Sequence, residues 1–298
     1  MKDFLDRVQS GEVLVADGAM GSLLMDMAGD LVKGSCPEAV NLARPEILEK
    51  VAELYFDAGA DIIQTNTFGG SPLKLSDYKM EEKTEEINRT AVQAVRKVIK
   101  KEAYLSASVG PSGKLLKPLG PVSEDEIFES FRRQVKVLID HEVDVICVET
   151  MIDIKEAVLA VKAVRDISKT MPVMSTMTYN PSPRGFFTVM GSTVAKAAAE
   201  GEAAGANIVG SNCGNGIENM VLIAREYREQ TKLPLIIQAN AGLPELKDDK
   251  PFYPETPEFM AGKVKDLIDA GVVIVGGCCG TTPDHIRAFR RTVDKLMG

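Results

Sequence analysis

Three cysteines of this sequence stand where their thiols can act together. Cys213 follows a short apolar run, 207–209, and a glycine-containing turn, and the adjacent pair Cys278 and Cys279 follows the β-branched run 272–275. Three thiolates that converge from two strand ends form a three-cysteine zinc site with its fourth position open, the arrangement expected of a catalytic zinc. We therefore predict a Zn²⁺ site formed by these three residues.

Two adjacent cysteines can serve one site only if the backbone bends between them, because neighbouring side chains on a regular strand point to opposite faces. Gly276, Gly277 and Gly280 surround the pair and permit such a bend. Two other interpretations stay open. The cysteines could be small buried residues, as free cysteines commonly are, or Cys278 and Cys279 could form a strained disulfide. Three cysteines in matched settings favour the metal.

Composition limits the class of protein. The chain has 298 residues, 45% hydrophobic and 26% charged, as in an ordinary globular protein. No apolar run approaches the roughly 20 residues of a membrane span, and the N-terminus does not resemble a signal peptide. Five cysteines argue against a disulfide framework and for a reducing compartment, and a net charge of −8 disfavours a nucleic-acid surface. We expect a cytoplasmic protein with no membrane or nucleic-acid partner.

Helical patterns alternate with short apolar strands along the chain. The predicted strands are Val13–Asp17, Asp61–Thr65, Tyr104–Val109, Asp144–Glu149, Val173–Thr178, Asn207–Ser211, Leu235–Ala239 and Val272–Val275. The predicted helices cover 45–58, 82–101, 123–141, 153–168, 193–205, 216–231, 256–270 and 282–297. Eight alternations predict an α/β fold, a single (β/α)8 TIM barrel. No linker divides the chain, so we predict one domain over residues 1–298.

Ligands bind at the C-terminal ends of the strands in such a barrel, so the strand ends define a candidate site. Glu149 ends a buried run, and a carboxylate there needs a partner or a positively charged ligand. Asp17 ends the first strand and could bind a ligand or cap the next turn. The long loops 110–122, 179–192 and 241–256 lie on the same rim, and the last is predicted to be a lid.

Four residues with reactive side chains are expected to take no part in the site. Cys36 lies in an early loop and Cys147 lies inside a strand. His141 and His285 fall in helical segments away from the strand ends, so we assign them structural roles.

Several of these segments together resemble the homocysteine S-methyltransferase family, in particular the homocysteine-binding module of cobalamin-dependent methionine synthase. The resemblance is carried by the segments 17–21, 59–63, 65–68, 149–150, 210–213 and 276–283. It implies that Cys213, Cys278 and Cys279 hold zinc and that Glu149 meets the amino group of homocysteine. It further implies that the turn formed by Asp17, Gly18, Ala19 and Met20 holds the amino acid, that Asn66 belongs to the substrate site, and that Asn240 lies close to the metal.

The implied activity is a zinc-dependent methyltransferase that activates homocysteine as a zinc thiolate and methylates it to methionine. A free thiol has a pKa of about 8.5, and zinc deprotonates a coordinated thiol. The sequence shows no folate or corrinoid module, so we expect a methylated corrinoid on a separate protein to supply the methyl group.

Three alternatives stay open. A self-contained enzyme could use S-methylmethionine or betaine, although betaine-using relatives have a tyrosine where this chain has Thr150, and 5% aromatic residues supply a cation–π cage poorly. The chain could be a thiol-binding subunit or methyltransferase with a different acceptor. The zinc could also be structural, but structural sites are normally closed by four protein ligands.

Overall fold

The computed structural model describes residues 2–32, 36–247 and 250–298. Its central sheet has eight parallel strands. They are β1 (Leu14–Val15), β2 (Ile62–Gln64), β3 (Tyr104–Val109), β4 (Val145–Met151), β5 (Val173–Met177), β6 (Ile208–Asn212), β7 (Leu235–Ala239) and β8 (Val272–Gly277). From β2 to β8 each strand pairs with the next along the chain, and β1 pairs with β8.

The sheet closes between its first two strands. Ala16 forms a parallel bridge to Ile62, and the Asp17 amide donates to the Ile62 carbonyl at 3.0 Å. The predicted (β/α)8 barrel is confirmed. The first strand was predicted too long, because only Leu14 and Val15 pair regularly with β8.

Helices cover the outside of the sheet. They are α1 (Phe4–Gln9), α2 (Met20–Val32), α3 (Val40–Ala43), α4 (Pro45–Asp57), α5 (Pro72–Leu75), α6 (Thr84–Ile99), α7 (Glu124–Asp140), α8 (Ile154–Ile167), α9 (Val194–Ala204), α10 (Ile217–Gln230), α11 (Pro257–Gly262), α12 (Val264–Asp269) and α13 (Pro283–Met297). The single helix predicted over 256–270 was wrong. The structure has two helices there, which separate at Lys263, directly after Gly262, a residue of low helix propensity.

The interior of the barrel is a packed core. Alternate strand residues point inward, among them Leu14, Ile62, Val145 and Ile236. Helix α1, which the sequence analysis missed, closes the N-terminal end with Phe4, whose ring meets Tyr104 edge-on at a centroid distance of 5.1 Å. Burial of such a side chain stabilises the fold by about 1.5–3 kcal/mol.

Two of the long loops at the opposite end contain short antiparallel hairpins. Asn180–Ser182 pairs with Gly185–Phe187, and Glu245–Lys247 pairs with Lys250–Phe252. Residues 248 and 249 of the predicted lid lie outside the described residues. Within the described ranges, no helix combines the length and the apolar character needed to cross a membrane.

Candidate functional site

The three predicted zinc ligands lie together at the C-terminal end of the barrel. Their sulfur atoms all fall within 4.8 Å of one another, and Cys213 Sγ is 3.7 Å from Cys279 Sγ. A tetrahedral zinc with Zn–S bonds of about 2.3 Å requires sulfurs about 3.8 Å apart. The spacing and the all-thiol donor set of the cluster therefore fit a zinc ion with one further position.

Backbone turns direct all three thiols to one place. Cys213, directly after β6, has a left-handed φ of 61°, and its amide donates to the Gln238 carbonyl at 3.1 Å. After Cys278 and Cys279 the chain turns through Gly280, with φ 79°, and the Thr281 amide returns to the Cys278 carbonyl at 3.1 Å. The bend expected between the adjacent cysteines is thus present.

The crowding of three thiols favours a bound cation. Hydrogen bonds from Cys213 and Cys278 stabilise a thiolate on Cys279 and lower its pKa. The pKa of Cys278 is raised, first by its interactions with Cys213 and Cys279 and then by burial. One thiolate therefore suppresses ionisation of its neighbours, and a dication would allow all three to ionise.

A cavity of about 250 Å³ opens beside the cluster. It is lined by residues from seven of the eight barrel strands or the loops that follow them, and from the first turn of α2. The lining residues used below are Gly18, Ala19, Met20, Gln64, Asn66, Phe68, Ser108, Glu149, Thr150, Cys213, Gln238, Cys278 and Cys279. Such a volume suits a small molecule, with thiols at one side of it.

Glu149 brings a buried carboxyl group into this cavity. The side chain is 6% exposed, and burial raises its pKa to about 7. Ser108 donates to one carboxylate oxygen, and the Asn212 amide donates to the other at 3.1 Å. The strand register shifts between Val148 and Met151, which marks a bulge at this point. The bulge directs Glu149 towards the mouth.

Asp17 places a second carboxyl group next to the cavity lining. It is 1% exposed, and burial, reinforced by the charge of Glu149, raises its pKa to about 8. Its Oδ2 accepts from the Gln64 amide at 2.8 Å, and its Oδ1 has no hydrogen-bond partner among the described residues. Two buried carboxyl groups, one of which has an oxygen without a partner among the described residues, form an environment that favours a cationic ligand.

A helix N-terminus completes this side of the cavity. Helix α2 begins at Met20 and has no acidic residue in its first turn, so its positive end faces the cavity uncompensated. The preceding turn is fixed because the Ala19 amide donates to Thr281 Oγ1 at 3.2 Å and Tyr55 donates to the Ala19 carbonyl at 3.0 Å. The two carboxyl groups suit a cationic group of a ligand, and the helix N-terminus suits an anionic group of the same ligand.

Comparison with known proteins agrees with this geometry. The family model described as homocysteine S-methyltransferase matches residues 14–293. The chain belongs to the homocysteine S-methyltransferase family. The methionine synthase of Mycobacterium leprae (strain TN) is 32% identical over 94% of this chain, and that of Mycobacterium tuberculosis (strain ATCC 25618 / H37Rv) is 33% identical over 99%. The chain spans 24% and 26% of their lengths, respectively.

Among solved structures, the metallated form of the homocysteine methyltransferase MmuM from Escherichia coli superimposes with a TM-score of 0.77. The match covers 94% of this chain and 96% of that one, at 21% sequence identity. At this identity the similarity supports the barrel fold. The family itself is established by the family model.

The remaining predicted residues lie near the cavity in different ways. Asn66 lines it, but its Nδ2 donates to the Pro37 carbonyl at 3.0 Å and to Asn41 Oδ1 at 2.8 Å, so the amide also holds the wall in place. Asn240 does not line the cavity. It is 4% exposed, and its Oδ1 has no partner among the described residues. Its proximity to a metal stays a prediction.

Both histidines and the two other cysteines lie away from the cavity lining. His285 belongs to the capping box of α13 with Thr282, and His141 follows the end of α7. Cys147 is buried in the barrel interior, and the Cys36 thiol contacts Glu38.

Sequence reasoning missed three residues, Gln64, Ser108 and Asn212, which line the cavity or hydrogen-bond to its lining. Polar side chains near the ends of otherwise apolar strands were the available signal for all three.

Proposed function

We propose that this protein transfers a methyl group to the sulfur of homocysteine and forms methionine. The observation that carries this proposal is the presence of three convergent thiols and two buried carboxyl groups around one small cavity. Homocysteine has a thiol at one end and an α-ammonium and carboxylate at the other. The two ends of the ligand match the two kinds of group around the cavity.

Cys213, Cys278 and Cys279 would hold a zinc ion. A bound zinc would lower the pKa of the substrate thiol, so that its sulfur is a thiolate at neutral pH. Three thiol ligands leave the fourth tetrahedral position for that sulfur. The protein must also orient the substrate so that a lone pair of its sulfur points towards the methyl donor.

The amino-acid end of homocysteine would be held by charge. Glu149 and Asp17 receive the ammonium group, which relieves the unfavourable burial of their carboxylates. The substrate carboxylate would lie at the N-terminus of α2, at Gly18, Ala19 and Met20. Asn66 forms part of the wall beside them.

Methyl transfer is a direct displacement. A lone pair on sulfur forms the new bond to the methyl carbon, the bond from that carbon to the donor breaks, and its electron pair leaves with the donor. The thiol proton is released when the substrate sulfur ionises. The methyl carbon must lie roughly 3–3.5 Å from the sulfur before transfer.

For the donor we propose a methylated corrinoid held by a separate protein, which would act at the open end of the barrel. Similarity to part of two methionine synthases supports this choice. A cage for betaine is poorly supplied, since Phe68 is the single aromatic among the described residues that line the cavity. Free cysteines suit a reducing cytoplasm, where we place the protein.

The test compares methyl donors with the purified, zinc-loaded protein. Methylcobalamin, a methylated corrinoid protein, methyltetrahydrofolate, S-methylmethionine and betaine are each supplied with homocysteine, and methionine is measured. We expect turnover with the corrinoids, faster with the protein-bound form. Turnover with S-methylmethionine or betaine and none with corrinoids would show a self-contained methyltransferase. No methionine from any donor, together with no homocysteine binding, would refute the proposal as a whole.

A further inference from the structure

Asn212 connects the two halves of the site. It is the last residue of β6, directly before Cys213, and its side chain is fully buried. On one side its Nδ2 lies 3.1 Å from the Glu149 carboxylate, and on the other it lies 3.9 Å from Cys278 Sγ. A single amide therefore lies between the group that would bind an ammonium and the thiols that would bind a metal.

All the hydrogen-bonding capacity of this amide is used. Its Oδ1 accepts from the Thr150 amide and from Thr176 Oγ1, each at 2.7 Å. Its Nδ2 donates to Thr150 Oγ1 at 2.7 Å as well as to Glu149. Since two donors face the oxygen and two acceptors face the nitrogen, only one orientation of the amide satisfies the network.

Two residues next to this amide have strained backbones: Thr150, which is hydrogen-bonded to it, and Cys213, which follows Asn212 in the chain. Thr150 has φ 58° and Cys213 has φ 61°, a left-handed region that is unfavourable for a β-branched residue such as Thr150. Thr150 sits in the bulge of β4, where the extra residue loses its regular ladder partner. Asn212 replaces that partner by accepting from the Thr150 amide, and so holds the bulge that directs Glu149.

We propose that Asn212 is a positioning residue that sets the separation between the Glu149 carboxylate and the cysteine cluster. This inference rests on the proposed function. The amino nitrogen and the sulfur of homocysteine are joined by a chain of three carbons, so they can engage both groups only at a limited separation. Asn212 holds that separation before the substrate arrives, which reduces the entropy lost on binding.

The test uses two thiols that differ only in the amino group, homocysteine and 4-mercaptobutanoate, and measures their dissociation constants by calorimetry on zinc-loaded protein. Asn212→Asp keeps an oxygen for Thr150 and Thr176 but replaces the donor to Glu149 by a second carboxyl oxygen, so that Glu149 loses a hydrogen bond and ionises less readily. We expect its affinity for homocysteine to fall about tenfold to a hundredfold, the scale of a hydrogen bond to a charged group, with little change for 4-mercaptobutanoate. Zinc content should stay at one ion per chain, because the three ligands are unchanged.

Two further variants separate positioning from general support of the fold. Thr150→Val removes the hydroxyl at the Glu149 side and should show the same selective loss to a smaller degree. Thr176→Val removes one of the two hydrogen bonds to the Asn212 oxygen but leaves the donor to Glu149, so it should lower the ratio of the two affinities much less than Asn212→Asp does.

Equal losses for both thiols in Asn212→Asp, or no loss for either, would overturn the role of Asn212 while leaving the proposed function in place. The same holds if Thr176→Val lowers the affinity ratio as much as Asn212→Asp does. Wild-type protein that binds neither thiol would overturn the proposed function and this inference with it.

Discussion

Asp17 and Asp61 lie at opposite ends of neighbouring barrel strands, and their surroundings differ completely. Asp61 precedes β2 at the end closed by α1, where its carboxylate accepts from Arg7 at 3.2 Å, from Arg290 at 2.9 Å and from the Val15 amide at 2.9 Å. Asp17 follows β1 at the open end and has one oxygen without a partner among the described residues. The closed end satisfies its charge, and the open end leaves charge for a ligand.

The hydrogen-bonding arrangement around Asp61, in which one side chain accepts from a helix arginine and from a strand amide, recurs along the closed end. Asp144 precedes β4 and accepts from Arg96 at 2.8 Å and from the Leu105 amide at 2.7 Å. Asn207 precedes β6 and accepts from Arg165 at 2.7 Å and from the Val173 amide at 3.0 Å. In each case one polar side chain joins a helix arginine to the adjacent strand, which stabilises the barrel without taking part in chemistry.

The open end concentrates the opposite features. Asp17, Gln64, Gln238 and Asn240 each have a buried polar atom without a partner among the described residues, and Thr150 and Cys213 have left-handed backbones. Unsatisfied and strained groups cost stability. The closed end has some as well, at Arg290 Nε and in the left-handed backbones of Lys100 and Glu142, but at the open end such groups lie around the cavity. The comparison supports the proposal that the closed end maintains the fold and the open end carries the chemistry.

The strongest way to break this comparison is to remove a thiol from the open end. Cys213→Ser should lose the bound zinc and with it the methyl transfer, because two thiols and a weak hydroxyl ligand do not make the site. Elemental analysis and the methionine assay measure both. Cys36→Ser, at a buried cysteine away from the cluster, should retain one zinc per chain. Full zinc content in Cys213→Ser would refute the ligand assignment.

At the closed end, Asp61→Asn should reduce stability and leave chemistry intact. Loss of the charge removes the carboxylate that Arg7 and Arg290 share in a partly buried setting and leaves them only Glu12 and Asp294, at a cost of about 2–4 kcal/mol in the free energy of unfolding. Denaturant unfolding measures the change, and zinc content should not alter. Lys265→Ala breaks an exposed ion pair with Asp269 and should leave the unfolding midpoint unchanged. Loss of zinc from Asp61→Asn would break the division between the two ends.

Glu149→Gln tests the charge at the open end. Homocysteine affinity should fall by about 1.5–3 kcal/mol, the scale of a hydrogen bond to a charged group. Burial raises the pKa of Glu149 to about 7, so wild-type affinity should increase as the pH rises through 7 and the carboxyl group ionises. Calorimetry across this range should show a smaller increase in the variant, which keeps only the increase that comes from release of the thiol proton. An unchanged pH profile would remove Glu149 from the ammonium site.

Much of the fold, and the position of the cysteines at the open end of the barrel, could be predicted from the sequence. Apolar runs such as Tyr104–Val109 and Leu235–Ala239 have the same bounds in the structure as in the prediction, because short apolar runs between helical patterns are typical of buried parallel strands. The cysteines stood out because their type and their glycine-rich settings are rare together. The strand periodicity then placed them at one end of the barrel.

What the sequence did not show depends on contacts between distant segments. The role of Asn212 arises from a bulge 62 residues earlier, at Thr150, and nothing local to either residue indicates it. Helix α1 is only six residues long, which is too short to predict by periodicity. It is stabilised by the packing of Phe4 against the side chains that fill the N-terminal end of the barrel. The hairpins at the mouth were likewise hidden within segments read as loops.

The smallest expected effect is that of Asp17→Asn, which should increase the free energy of unfolding, whereas Asp61→Asn should decrease it. The pKa of Asp17 rises from its usual value near 3.8 to about 8 on folding. A carboxyl group whose pKa is raised in the folded state costs nothing below its unfolded pKa, and its penalty grows as the pH rises until the group ionises in the folded protein as well. Asp17→Asn removes this penalty. The substrate-free variant should therefore be more stable than wild type at pH 8 by about 1–2 kcal/mol, less than the full shift implies because the new amide nitrogen also lacks a partner.

Denaturant unfolding at pH 3 and pH 8 separates the causes, since the gain of Asp17→Asn should vanish at pH 3, where the carboxyl group is largely protonated in both states. The same variant should bind homocysteine more weakly. Greater stability joined to weaker binding is the outcome expected if the open end holds charge for a ligand. A variant that is less stable than wild type at pH 8 would instead show that Asp17, like Asp61, maintains the fold.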